Sequence, residues 1–156
     1  MRNCLRYLAL SMLAGCGAGK SDGPPEVFPV AGQVLVDGKP AAGIEVTLLP
    51  GDAPMVPRIP RNPHAVTGAD GRFAIGTFKD GDGAAEGGYQ VLLKWPPEKK
   101  DAESEALDED RLLGWYDGTH STIGYRVNSG ANEIPPIKVP KRTLPPEISP
   151  GIPGRN

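Results

Sequence analysis

Tyr89-Gln90-Val91-Leu92-Leu93-Lys94-Trp95-Pro96-Pro97 is the stretch on which the fold turns. Tyr89, Val91, Leu93 and Trp95 share one parity, with Gln90, Leu92 and Lys94 on the other. Successive side chains of a strand point to opposite faces, so this period of two predicts a half-buried β-strand. The pattern assigns Trp95 to the core. Pro96-Pro97 ends the strand, because neither proline offers an N–H to a ladder.

The same period recurs on both sides. Val30, Gly32, Val34 and Val36 share one face of a first strand, after which Asp37-Gly38-Lys39-Pro40 turns the chain. Pro40 and Gly43 delay the next strand, which predicts a longer loop than a two-residue hairpin. Ile44, Val46 and Leu48 line the inner face of the second strand, with Glu45 and Thr47 outward. Pro50 to Pro63 is a proline-studded excursion. Asp70-Gly71, between Ala65–Thr67 and Phe73/Ile75, is the strongest hairpin signal, since the pair tolerates the positive φ of a twist-matched turn.

Lys79 to Gly88 is a second turn-rich stretch, and Glu98 to Asp110 is an acid-rich loop with at most a helical turn. Leu112 to Tyr116 is expected to dock back on the core. Ile123, Tyr125 and Val127 form another strand, turned by Ser129 to Asn132. Ile134, Ile137 and Val139 form the last, placed at an edge because Pro135-Pro136 removes ladder donors. The expectation is an all-β chain with a single β-sandwich of about seven strands, a flexible N-terminal tether and a C-terminal tail.

The N-terminus has a different logic. Arg2 and Arg6 precede an apolar run from Tyr7 to Leu13, and small residues follow, the layout of a secretory signal peptide. The run is far short of the roughly 20 apolar residues of a membrane-spanning helix. Its ending, Leu13-Ala14-Gly15-Cys16, resembles the lipobox of bacterial lipoproteins. That resemblance implies a diacylglyceryl group on the Cys16 thiol, removal of residues 1–15, and acylation of the new amine with a palmitate-type chain. One acyl chain holds a protein marginally and two hold it stably. A membrane-anchored, extracytoplasmic protein is therefore expected. Gly17, rather than Asp, after the cysteine favours the outer membrane or periplasmic face.

Removal of the signal leaves 141 residues, and 17 basic residues become 15 against 19 acidic ones, a net charge of −4. No Lys/Arg cluster stands out, which argues against nucleic acid. Cys4 leaves with the signal, so no disulfide is expected within the domain. The organisation reads as signal peptide 1–15, lipidated Cys16 with a flexible tether to residue 26, sandwich 27–140, and Pro-rich disordered tail 141–156.

Three stretches in order resemble the carboxypeptidase regulatory-like domains, relatives of the transthyretin-like sandwich. They are Val34-Leu35-Val36-Asp37-Gly38-Lys39-Pro40, Thr67-Gly68-Ala69-Asp70-Gly71-Arg72-Phe73 and Gly87-Gly88-Tyr89-Gln90-Val91. The similarity spans roughly residues 27–140. It departs at Gly68, where the family often has Asp, and at 98–110, which looks like an insertion. The resemblance implies an immunoglobulin/prealbumin-like architecture and little activity, since such modules usually lack catalytic residues.

The residues agree. His64 and His120 are the only histidines and sit in turn-rich regions. His120 neighbours Ser121, but adjacent strand residues face opposite ways, and no Gly-x-Ser-x-Gly elbow exists. No His/Cys spacing suggests zinc. Asp80-Gly81-Asp82-Gly83, helped by Glu86, is a weak calcium candidate, because calcium favours closely spaced carboxylates. Trp115 and Tyr116 are candidates for a binding surface, one inward and one outward if extended. The expected function is a non-enzymatic structural or protein-interaction module of the cell envelope, without cofactors. Its expected partners are the membrane, through Cys16, and an envelope protein. The alternative is a carbohydrate-binding, calcium-assisted envelope module.

Overall fold

The computed structural model describes residues 24–52, 62–97 and 109–146. The signal peptide, Cys16, most of the tether, the centre of the proline-studded excursion, the acidic stretch to Asp108 and the tail beyond Pro146 lie outside the described residues. Among the described residues, eleven strand segments make an all-β sandwich. They outnumber the expected seven because prolines and glycines break several strands into short pieces.

The first sheet is built around β2 (Val30–Val36). Along one edge run β3 (Lys39–Pro40) and β6 (Arg72–Ala74), both antiparallel. Along the other run β10 (Asn132–Glu133) and β11 (Ile137–Val139), both parallel. The residues between β10 and β11 include Pro135-Pro136, so the double proline interrupts an edge strand as expected. The second sheet is antiparallel, in the order β5 (His64–Val66), β4 (Glu45–Pro50), β8 (Gly87–Lys94), β9 (Gly124–Val127). β1 (Val27–Phe28) pairs with β7 (Ala84–Ala85), closing the N-terminal end of the domain.

Alternation puts the core where the two sheets meet. Along β8, Gly87, Tyr89, Val91 and Leu93 are buried while their neighbours are half-buried. Ile44, Val46 and Leu48 meet Val30, Val34, Ile75 and Val139 in one cluster. Full burial of such a side chain contributes about 1.5–3 kcal/mol, which makes this contact the main source of stability. Gly32 lies on the inner face because the Phe73 ring fills the space beside it. A Cβ there would come within 2.6 Å of that ring.

Three local expectations are corrected. Asp37-Gly38 makes a tight two-residue turn, with Val36 opposite Lys39 and φ of 50° and 78°. Both central residues adopt the positive φ that matches strand twist. Pro40 and Gly43 instead mark the crossing to the other sheet. The Asp70-Gly71 turn is a three-residue loop: Gly71 N–H donates to the Gly68 carbonyl and Gly68 N–H to that of Arg72. Only Gly71 takes positive φ, at 71°. This is a type I turn closed by a glycine bulge. Its arms then separate, β5 joining β4 and β6 joining β2, so the hairpin spans the sandwich.

Thr67 fixes that separation. Its buried hydroxyl donates to the Ala41 carbonyl at 2.7 Å and accepts the Ile44 N–H at 2.9 Å. The third correction concerns Trp95. It is half-buried at the rim rather than in the core, because the pairing of β8 with β4 ends at Lys94, one residue earlier.

Candidate functional site

Strand register assigns each candidate to an end of the sandwich. The start of β2 and the end of β4 define one end, reached by the Gly76–Gly83 loop that follows β6. The end of β2, the start of β4 and Trp95 define the other. Asp80, Asp82 and Glu86 therefore belong to the opposite end from Trp115 and Tyr116. The structure does not unite the two candidate groups.

At the first end, Asp82 organises its own loop. Its carboxylate accepts the N–H groups of Thr77 at 2.7 Å, Phe78 at 3.2 Å and Lys79 at 3.1 Å. The Thr77 hydroxyl adds a bond to the Gly83 carbonyl at 2.6 Å. Calcium at Asp82 would compete with three backbone donors. Asp80 and Glu86 stay exposed. Among the described residues no three His, Cys, Asp or Glu side chains are grouped to hold a metal ion.

At the second end, residues 109–121 form a run of turns rather than a strand. Asp110 is their hub. It accepts the N–H groups of Trp95 at 2.8 Å, Leu112 at 2.9 Å and Gly114 at 3.0 Å. Leu112 is thereby driven into the core at 3% exposure, as its predicted docking requires. Leu113 and Gly114 both take positive φ, 56° and 75°. For leucine this is a strained conformation, held by the surrounding bonds.

Trp115 and Tyr116 consequently diverge. Tyr116 packs on the core, and its carbonyl accepts the Leu93 N–H at 3.0 Å. Trp115 leaves the core, but its surface is taken. The Arg142 guanidinium lies 4.3 Å from its ring centroid, and its indole N–H donates to the Leu144 carbonyl at 2.7 Å. The tail thus touches the domain through Arg142 and Leu144. Trp95 is also covered, by Arg111 at 3.6 Å from the ring centroid, while its indole N–H donates to the Ala42 carbonyl at 3.0 Å. Beside it an open groove of about 560 Å³ is lined by Lys39, Pro40, Ala41, Pro96, Pro97 and Arg111.

His120 and Ser121 are both engaged in holding the turn. The Ser121 hydroxyl is buried and donates to the Val91 carbonyl at 2.6 Å. The His120 ring nitrogen sits 2.9 Å from the Asp117 carboxylate, which also accepts the His120 and Thr119 N–H groups at 2.8 Å. Partial loss of water opposes ionisation of Asp117. The hydrogen bonds from His120 and Thr119 outweigh it and hold the carboxyl below its ordinary value. His64 lies across the molecule on β5.

Sequence reading missed the roles of Asp82, Asp110 and Asn132. The Asn132 side-chain oxygen accepts the Asn128 N–H, and its amide donates to the Asn128 and Gly130 carbonyls. A partial signal existed, since Asp and Asn readily bond backbone groups two to four residues away. The contact of Trp115 with Arg142 and Leu144 had none, because those residues lie 27 and 29 positions away. No protein-family model and no curated protein matches the chain.

Proposed function

We propose that the chain is a non-enzymatic, lipid-anchored, extracytoplasmic module that makes structural or protein contacts in the cell envelope. Cys16 is its anchor, residues 17–26 its tether, and the end of the sandwich around Trp95 and Trp115 its contact surface. On this reading it is a relative of the carboxypeptidase regulatory-like domains, which the order of its three turn motifs supports.

The observation that carries the reading is what that end displays. Trp115, covered by Arg142, and Trp95, covered by Arg111, are both half-buried at this end, and the second pair lines an open groove. Tryptophan and arginine are the residues on which protein interfaces most depend. The groups that could do chemistry are engaged elsewhere: Ser121 faces inward and His120 is tied to Asp117. The carbohydrate alternative loses support from the same contacts. Both indole rings already carry a guanidinium, and the Asp82 carboxylate already carries three donors.

The test is made in cells that process the chain. Cys16→Ser is expected to abolish fatty-acid labelling and release the protein from membranes. A photo-crosslinker replacing Lys39, beside the groove, is expected to capture one recurrent envelope protein, while one replacing Asp80 does not. Undiminished labelling of Cys16→Ser would defeat the anchor. Glycan capture in place of protein would defeat the contact role.

A further inference from the structure

We infer that Trp115 is a recognition platform for a basic, proline-flanked peptide, and that the protein's own tail occupies it. This rests on the interaction-module reading above and names the chemistry of its partner. The tail is held at three points within four residues. The Lys141 N–H donates to the Asp37 carboxylate at 2.9 Å, Arg142 covers the Trp115 ring, and the Leu144 carbonyl accepts the indole N–H.

The bonds that present Trp115 do not involve the tail. Asp110 fixes the backbone on either side of Leu113, whose strained φ of 56° directs the following Trp115 away from the core. Strain of this kind concentrates at ligand clamps. The occupant is equally well defined. The backbone bends at Thr143 and Leu144, just ahead of Pro145-Pro146, and so turns the Leu144 carbonyl to the indole. Pro140 on one side and Pro145-Pro146 on the other restrict the free segment, so docking has less chain entropy to remove.

The contacts also say what is read. A cation two residues before a backbone carbonyl satisfies the ring face and the indole N–H together. The Leu144 side chain, 73% exposed, contributes nothing to the platform. The recognised pattern is therefore Arg or Lys, any residue, then a residue that presents its carbonyl ahead of proline. A partner segment with that pattern would displace the tail.

The test follows the two indole N–H resonances by NMR in the chain beginning at Gly17, which keeps every described residue. Trp115→Phe assigns the Trp115 signal, and Arg142→Ala opens the platform. Arg142→Ala is expected to move the Trp115 signal and leave that of Trp95 in place. A synthetic peptide of residues 140–147 should then return it, saturably, toward its original position. The same peptide with Ala at the position of Arg142 should bind about threefold to tenfold more weakly, as removal of a cation–π interaction requires. A Trp115 signal unmoved by Arg142→Ala would overturn the inference. So would a moved signal that the peptide cannot restore. A parent Trp115 signal that shifts on dilution would overturn it too, by placing the tail of a second copy on the platform. Each failure leaves lipid labelling and crosslinking untouched, so it is distinguishable from failure of the module reading.

Discussion

Strand β8 and the turns from Asp110 to Ser121 lie side by side, and different physics holds them. β8 is fixed by ladders on both edges, to β4 and β9, and by four inward residues. The neighbouring turns have no ladder and only one buried large apolar side chain, Leu112. Carboxylates replace the ladder: Asp110 and Asp117 each accept three hydrogen bonds, five of those six from backbone N–H groups. The Asp82 loop repeats the device at the far end. Where apolar alternation is absent, one acidic side chain satisfies several backbone donors that would otherwise cost free energy.

The largest effect should come from the ladder side. Leu48 is fully buried, and Leu48→Ala removes its packing from both sheets at once, costing about 3–4 kcal/mol. Urea unfolding should shift to a lower midpoint with unchanged slope. Amide exchange should speed up together in β2 and β4, since one core joins them. Faster exchange confined to β4 would mean that the sheets are separate stability units, and the comparison would fail.

Asp110→Ala probes the other regime. Loss of three charge-assisted bonds should cost about 2–3 kcal/mol, with its effect centred on the turns. The amides of Trp95, Leu112 and Gly114 should lose far more protection than those of Val34 and Val91. Uniform loss would show that the carboxylate supports the core as directly as the strands do. Trp115 should also lose its fixed position, linking this substitution to the platform.

The same contrast explains what could be read from the sequence. Inward-facing Val30, Val34, Ile44, Val46, Leu48, Tyr89, Val91 and Leu93 followed from period two alone, because burial of one face imposes it. Hairpin partnership did not. The turn at Asp70-Gly71 is local, yet the sheet each arm joins depends on Thr67 reaching Ala41 and Ile44, 23–26 positions away. Trp95 kept its parity but outran its partner strand, since periodicity says which face a residue takes and not where pairing ends. The Trp115 surface was visible as an aromatic pair. Its occupant was not, because a carbonyl and a guanidinium from the tail carry no pattern that points to a distant indole.

The smallest expected effect belongs to a site that joins both regimes. Asp52 stands just beyond β4, accepts the Gly88 N–H at the start of β8, and pairs with Arg126 of β9 at 2.5 Å. The Gly88 bond first, and Arg126 second, hold its carboxyl below the ordinary aspartate value of 3.8. The native state therefore binds this proton less readily than the unfolded chain. Its contribution is fully present above the unfolded value and is lost as pH falls through the lower native one. Asp52→Asn should be slightly less stable than the parent at neutral pH, and the two should converge on acidification. Urea midpoints taken at steps from about pH 6 to about pH 2 would read this. Added salt should narrow the neutral-pH gap, because the pair is exposed and screened. A gap that widens in acid would mean that Asp52 is held protonated, and that a carboxylate at the end of a ladder does not act as those in the turns do.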